Sequence, residues 1–222
     1  MTPPAIIWDV DGTLVDTAEH HFRAWERIAA ERGYLFTRND FAATFGKRNP
    51  EIVRQLFNPH ATDDECRAWG EQKEKYYRDA IRNSGVALLP GVARLLETLA
   101  EWHWPQAVGS SAPRENLDLV LSLTNTRPFF QAIVSGDEVQ RGKPDPEVFL
   151  KAADRLGVSP SHCIVIEDAP SGVEAAKAGG MACVAVTYVG HHSEEKLLAA
   201  GADLVVPTLE QLNPEQLIAL VK

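Results

Sequence analysis

From Pro90 onward, helical segments alternate with short apolar runs, and this alternation restricts the fold more than any other feature. The apolar runs lie at residues 106–109, 132–135, 163–167, 182–186 and 204–206, and one more lies near the start at residues 5–8. Consecutive apolar residues predict strands buried on both faces, and strands joined by helices run parallel with right-handed crossovers. The sequence therefore predicts an α/β fold, a Rossmann-like doubly wound parallel sheet.

Helical periodicity accounts for the rest of the chain. In the sheet region it predicts helices at residues 92–102, 113–123, 146–156, 171–178, 193–200 and 214–221. Between residues 16 and 85 it predicts helices alone, and no stretch alternates as a half-buried strand would. We therefore predict a core domain of residues 1–15 plus 86–222, with a small α-helical domain of residues 16–85 inserted after the first strand.

Two carboxylates, Asp9 and Asp11, follow the first strand two residues apart. Side chains at positions i and i+2 leave the same face of a strand, and a turn at Gly12 lets them converge. Gly12 also allows the backbone to approach an anion closely. Carboxylates this close repel each other unless a cation binds or one is protonated. The pair suits acid–base chemistry or a hard metal ion such as Mg²⁺, with a plain polar turn as the alternative.

Polar residues also follow three later strands. Ser110 and Ser111 follow the second strand, Lys143 lies in the loop after the third, and Glu167 and Asp168 end the fourth. Each could be a helix cap or a solvated side chain when considered alone. Ligands bind beyond the carboxyl ends of the strands in such sheets, so the joint occurrence predicts a functional site there.

The order and spacing of these groups resemble the four motifs of the haloacid dehalogenase superfamily of phosphotransferases. Asp-x-Asp-Gly-Thr at residues 9–13 corresponds to the first motif, and the helical insertion is similar to the cap of the β-phosphoglucomutase-like branch. Residues 16–25 strengthen this similarity. The resemblance implies that Asp9 is a nucleophile that forms an aspartyl phosphate. It implies that Asp11 is the general acid and base.

The resemblance also implies a Mg²⁺ ion and a phosphate site. Asp9, the backbone carbonyl of Asp11 and Asp168 would hold the metal, with Glu167 behind them through water. The phosphoryl oxygens would be bound by Lys143, the Ser110 hydroxyl and the N–H groups of Ser111 and Gly12. Charge favours the same arrangement, because ionised Asp9, Glu167 and Asp168 would repel a phosphate dianion unless Mg²⁺ and Lys143 were both present.

Substrate specificity is expected in the cap. The candidate residues there are Thr17, His21, Arg48, Asn49 and Lys73. The mutase pattern Gly-x-Ser-Arg is replaced by Gly-Lys-Arg-Asn at residues 46–49, so the arginine for a second phosphate is out of register. On a helix, a shift of one residue turns a side chain by about 100°. Recognition of a bisphosphate is therefore in doubt.

Two functions compete. The first is a Mg²⁺-dependent phosphatase acting on a small phosphorylated metabolite, in particular a sugar phosphate, and the arginine register favours it. The alternative is a β-phosphoglucomutase, which Thr17 and His21 favour. Dehalogenation would not need Asp11 as an acid. Phosphonate hydrolysis would need a Schiff-base lysine, for which Lys47 and Lys73 are available. A binding module without catalysis would be expected to lack one of the motifs.

Composition sets the remaining expectations. A formal net charge of −9 and a pI near 5.3 argue against nucleic-acid or anionic-membrane partners. No apolar run approaches the length of a membrane span, and the first residues lack the regions of a signal peptide. Three cysteines lack metal-ligand spacing. We expect a cytoplasmic enzyme that is a monomer and acts on a small molecule.

Overall fold

Six parallel strands form one sheet in the computed structural model of the protein, which describes residues 3–221. The strands are β1 (Ala5–Trp8), β2 (Gln106–Gly109), β3 (Ala132–Val134), β4 (Cys163–Glu167), β5 (Ala182–Val186) and β6 (Leu204–Val206). Their order is β3-β2-β1-β4-β5-β6, and every neighbouring pair is parallel. The predicted Rossmann-like doubly wound sheet is confirmed.

The first strand lies in the middle of this sheet. Ile7 pairs with Ala107 of β2 on one side and with Val165 of β4 on the other. All four residues of β1 are fully buried, as an apolar run covered on both faces requires. The indole N–H of Trp8 donates to Gln106 Oε1 at 3.0 Å, so the polar atom of this core side chain is satisfied.

Helices occupy most of the remaining chain. The α-helices are α1 (Ala18–Glu31), α2 (Arg38–Thr44), α3 (Asn49–Leu56), α4 (Asp63–Ser84), α5 (Val92–Glu101), α6 (Arg114–Leu123), α7 (Glu147–Leu156), α8 (Pro170–Ala178), α9 (Glu194–Ala199) and α10 (Pro214–Ile218). Short 3₁₀ helices, which the periodicity did not predict, lie at Arg127–Phe129, Gly136–Glu138, Pro160–His162 and Leu209–Gln211. Within the described residues, no helix combines the length and apolar character needed to cross a bilayer.

Several element ends differ from the sequence-based expectation by one to three residues, and the third strand and the last helix show why. The third strand ends at Val134, because the side chain and N–H of Ser135 both donate to Glu138 Oε1 at 3.1 Å and cap a 3₁₀ helix. The last helix ends at Ile218, whereas its apolar residues predicted an extension to residue 221. Both differences concern terminal residues, where capping outweighs periodicity.

The chain divides into two compact units, Met1–Asp16 with Ala87–Lys222, and Thr17–Val86. The first contains the sheet with α5 to α10. The second contains α1 to α4, and aromatic side chains form much of its core. Phe57 stacks on Trp69 with ring centroids 4.5 Å apart, and the Trp25 ring lies 5.9 Å from that of Phe57. Helices α2 and α4 begin with capping boxes at Thr37 and Thr62.

Gly91 is the N-cap of α5 and lies in close contact with the 3₁₀ helix Leu209–Gln211. Its φ is 88°, in the left-handed region, and a Cβ atom there would lie 2.2 Å from the backbone N of Glu210. The Arg94 guanidinium reinforces the contact by donating to the carbonyl oxygens of Leu209 at 3.1 Å and Leu212 at 2.8 Å. Only a residue without Cβ fits at position 91 without moving a backbone.

We expect Gly91→Ala to destabilise the protein by about 3–5 kcal/mol. The alanine would be strained in the left-handed conformation, and the backbone near Glu210 would also have to move. Gly157→Ala is the matched control, since its φ is 68° and its Cβ would meet nothing within 4 Å. The control should lose only about 1–2 kcal/mol. Denaturant unfolding measures both values, and equal losses would contradict the proposed contact.

Candidate active site

Polar side chains meet at the carboxyl ends of three neighbouring strands, β2, β1 and β4. Asp9 follows β1, Ser110 follows β2 and Glu167 ends β4. Because β1 lies between β2 and β4, these positions are adjacent at the same edge of the sheet. The loop between β3 and α7 adds Lys143 to the group. Asp9, Lys143, Glu167 and Asp168 are all buried.

Lys143 links two of the carboxylates. Its ammonium group donates to Asp9 Oδ1 at 2.6 Å and to Glu167 Oε1 at 2.7 Å, and Nζ lies 4.7 Å from the centre of the Phe149 ring. Burial by itself would lower the pKa of Lys143, but the charges of Asp9 and Glu167 outweigh it and raise that pKa. The lysine therefore provides a permanent positive charge in the site.

The loop that carries Lys143 is anchored by Glu147, which the sequence analysis did not single out. The Glu147 carboxylate accepts the backbone N–H groups of Gln140 and Arg141, each at 3.0 Å, and an N–H of Lys151 at 2.7 Å. The hydrogen bond from Lys151 and those from the two amides lower the pKa of Glu147 to about 2. An acid in the first turn of a helix after a loop was the available sequence signal.

Glu167 is held from several directions. While Oε1 faces Lys143, Oε2 accepts the backbone N–H groups of Asp168 at 2.7 Å and Ala169 at 2.6 Å. A Cβ atom on Gly172 of α8 would lie 1.8 Å from Glu167 Oε1, so glycine is required there. Sequence analysis missed Gly172, although a glycine in a helix where alanine has the higher propensity is a recognisable signal.

Asp9, Glu167 and Asp168 form a cluster that could hold a metal ion. One carboxylate oxygen from each lies within 4.8 Å of the others. The carboxylate of Asp168 accepts no hydrogen bond from the described residues, so its charge has no donor to compensate it. With all three ionised, Lys143 would balance one charge and leave two in excess. Oxygen-only ligands with excess negative charge fit a hard divalent cation.

Burial is the main reason why two of these carboxyl groups resist ionisation in the absence of a cation. It raises the pKa of Asp9 to about 7, where the attraction of Lys143 opposes it and the charge of Glu167 adds to it. Burial also raises the pKa of Asp168 well above its usual range, and the charges of Glu167 and Asp9 act in the same direction. A bound cation would reverse this effect.

The turn at Gly12 corrects one expectation. The N–H of Gly12 donates to the carbonyl oxygen of Val15 at 2.8 Å, so it is engaged within the turn and does not point to a phosphate. The φ of Gly12 is 91°, and a Cβ there would lie 2.1 Å from Asp168 Oδ2. Gly12 is therefore needed for the close passage of the backbone beside Asp168. Asp11 is half-buried in the same turn.

The serines after β2 are placed by a separate set of contacts. Ser110 is buried, and its hydroxyl oxygen accepts the N–H of Ala112 at 3.1 Å, which leaves the hydroxyl proton for another acceptor. Ser111 is half-buried, and its carbonyl oxygen would lie 2.1 Å from a Cβ on Gly136. The backbone at this strand end is thus closely packed against the turn after β3.

In the unit of residues 17–86, three of the five candidate substrate residues lie in one hydrogen-bonded cluster. Glu74, which sequence analysis missed, joins half-buried Asn49 to Lys73, and Lys73 in turn contacts His21. Arg48 instead forms an ion pair with Glu51 at 2.9 Å at the start of α3. Thr17 is buried at the start of α1, where its carbonyl oxygen accepts the N–H of His21 at 3.0 Å.

Residues 6–186 match the haloacid dehalogenase-like hydrolase family. The chain belongs to this family. It is 32% identical over 183 residues to the fructose-1-phosphate phosphatase of Escherichia coli (strain K12), covering 82% of this chain and 95% of that protein. It is 34% identical over 219 residues to the β-phosphoglucomutase of Bacillus subtilis (strain 168), covering 96% and 93%.

A solved structure agrees with these relatives. The crystal structure of β-phosphoglucomutase from Clostridium difficile superimposes with a TM-score of 0.86 at 28% identity and covers 98% of this chain and 96% of that chain. The protein is therefore an enzyme of the phosphoric monoester hydrolase type, in the β-phosphoglucomutase-like branch. This confirms the family resemblance of its motifs.

The raised pKa values predict an unusual response to pH in the metal-free protein. The pKa of Asp9 is about 7 in the folded state, compared with an ordinary value of 3.8. The folded protein therefore holds the proton more tightly than the unfolded chain does. The stability that this gives is fully present below pH 3.8 and is lost as the pH rises through about 7. In EDTA at pH 8, Asp168→Asn should therefore melt about 2–4 °C above the wild type, because a repelled buried charge has been removed.

The same variant has two internal controls in thermal melts. At pH 4 the advantage over the wild type should vanish, since the Asp168 carboxyl is then protonated. Addition of MgCl₂ at pH 8 should stabilise the wild type and not the variant. A wild type that is more stable than Asp168→Asn in EDTA at pH 8 would contradict the electrostatic account.

Proposed function

We propose that the protein is a Mg²⁺-dependent phosphatase that hydrolyses a small sugar phosphate through an aspartyl phosphate on Asp9. The observation that carries this proposal is the buried cluster in which Lys143 bridges Asp9 and Glu167 beside Asp168. A carboxylate with a fixed cation on one oxygen and a neighbouring acidic pair suits a nucleophile toward phosphorus. Family membership and the sugar-phosphate phosphatases among the relatives support the same reaction.

In the first half-reaction, Asp9 acts as the nucleophile. Its Oδ1 is held by Lys143 at 2.6 Å, which leaves Oδ2 to attack phosphorus. Asp11 protonates the departing alcohol oxygen, and in the second half-reaction it takes a proton from the attacking water. Lys143 and the Ser110 hydroxyl bind the phosphoryl oxygens, where negative charge must be neutralised. The Ser111 N–H completes this binding.

The residues present fit Mg²⁺. Asp9 and Asp168 would hold it together with the backbone carbonyl of Asp11, and Glu167 would act from behind through water, because Lys143 and two amides already engage the Glu167 carboxylate. When bound, Mg²⁺ supplies positive charge that offsets the excess carboxylate charge and polarises the phosphoryl group. The chain's own contribution is to bury the acidic cluster and to orient Asp9 and Glu167 through Lys143.

The alternative function is that of a β-phosphoglucomutase, which must hold a second phosphoryl group. Arg48 is the nearest candidate cation in the altered motif, and it already forms an ion pair with Glu51 at 2.9 Å. This pairing favours the phosphatase. His21, which favours the mutase, is buried against Lys73 and Tyr77. We also propose that residues 16–85 act as the substrate-binding cap of a core formed by residues 1–15 and 86–222.

Product analysis distinguishes the two functions. Purified protein with MgCl₂ is given either fructose 1-phosphate or β-glucose 1-phosphate, and free phosphate and glucose 6-phosphate are followed together. We expect release of phosphate without appreciable glucose 6-phosphate, also when glucose 1,6-bisphosphate is added. Rapid glucose 6-phosphate formation with little free phosphate would instead establish the mutase.

Asp9→Asn tests the covalent mechanism. We expect turnover to fall by about 10³-fold or more, because the amide is a poor nucleophile. Asp154→Asn is the matched control, since Asp154 is exposed on α7 and the chemical change is the same. The control should retain wild-type turnover, and circular dichroism should show that both variants are folded. Substantial phosphatase activity in folded Asp9→Asn would exclude Asp9 as the nucleophile.

A further inference from the structure

A second buried lysine, Lys73, lies in the unit of residues 17–86, and its charge is balanced there. Lys73 Nζ and Glu74 Oε1 are 2.9 Å apart, and their side chains are 3% and 5% exposed. Taking two charges out of water is costly, so a buried pair between adjacent residues of one helix is not explained by stability alone. The burial of this pair therefore indicates that the negative charge of Glu74 has a function beyond stability.

The contacts of Lys73 define the state of the cluster. The ammonium group lies 2.7 Å from Nδ1 of His21, a ring nitrogen that accepts its hydrogen bond. Nζ also lies 5.3 Å from the centre of the Tyr77 ring and 5.6 Å from that of Trp25. Aromatic rings and an imidazole nitrogen carry no negative charge that could balance the ammonium group. Glu74 does so.

Glu74 also determines the position of Asn49. The amide of Asn49 donates to Glu74 Oε1 at 2.8 Å, the same oxygen that pairs with Lys73. One carboxylate oxygen thus orients two residues that come from different helices, α3 and α4. The Asn49 amide and the Lys73 ammonium are therefore presented together, with no net charge on the Lys73–Glu74 pair.

We propose that Glu74 is a positioning residue that sets the substrate class as sugar monophosphates and disfavours sugar bisphosphates. This inference rests on the proposed function, in which Asn49 and Lys73 contact the substrate. A neutralised lysine and an oriented amide suit neutral sugar hydroxyl groups, whereas a second phosphoryl group requires an uncompensated cation. The ion pair with Glu51 likewise offsets the positive charge of Arg48, the other cation among the candidate substrate residues.

The test compares fructose 1-phosphate with fructose 1,6-bisphosphate. The readout is the ratio of kcat/KM for the monophosphate to kcat/KM for the bisphosphate, measured by phosphate release with MgCl₂ at pH 6.5. Glu74→Gln should lower the ratio by about tenfold, since Lys73 then carries an uncompensated charge.

Two further variants separate charge from general damage. Glu71→Gln removes the same charge from an exposed position on the same helix and should leave the ratio unchanged. The double variant Lys73→Met with Glu74→Gln has no uncompensated charge, so the ratio should return to about the wild-type value. A structural role for Glu74 would instead lower kcat/KM for both substrates equally in Glu74→Gln.

An unchanged ratio in folded Glu74→Gln would overturn the inference. If circular dichroism shows that this variant does not fold, Lys73→Met at pH 8 decides between the outcomes. In Lys73→Met the Glu74 charge is no longer balanced by Lys73, so the ratio should rise, and an unchanged or lower ratio would overturn the inference. A wild type that releases phosphate from neither sugar would refute the proposed function itself. An active wild type whose ratio is unchanged by Glu74→Gln would refute only the role of Glu74.

Discussion

The ion pairs of Lys143 with Asp9 and Glu167 are the interaction on which the site depends. They join Lys143, in the loop after β3, to Asp9 after β1 and to Glu167 at the end of β4. Along the chain, Lys143 is 134 positions from Asp9 and 24 positions from Glu167. The surrounding glycines serve this arrangement. Gly12 lets the backbone pass Asp168, and Gly172 leaves room for the Glu167 carboxylate. Helix α7 contributes through Glu147, which anchors the loop.

The two buried lysines of this protein illustrate opposite uses of charge. Around Lys143 three carboxylates exceed one ammonium group, which raises the pKa of Asp9 and Asp168 and creates a demand for a cation. Lys73 instead pairs with a single carboxylate, that of Glu74, and His21 Nδ1 lies 2.7 Å from its ammonium group. Excess charge suits chemistry on a phosphoryl group, while balanced charge suits recognition of an uncharged part of a substrate.

Much of the core could be predicted from local patterns. The apolar runs at residues 5–8 and 163–167 could only be satisfied by strands covered on both faces, and helices between such strands require parallel pairing. Once the sheet is parallel, the residues that follow its strands must gather at one edge. Asp9, Ser110 and Glu167 were predicted on this ground, and the structure places them at the carboxyl ends of three neighbouring strands, β1, β2 and β4.

What the sequence by itself determined was the architecture and the identity of the strand-end groups, because periodicity and strand polarity are local properties of the chain. Only the tertiary structure decided how those groups are used. The N–H of Gly12 is engaged by Val15, Arg48 is paired with Glu51, and Glu74 joins Asn49 to Lys73. Such contacts depend on side-chain rotamers and on which helices pack together. Residue spacing contains no information about either, so the partners of a buried charge became visible only in the folded chain.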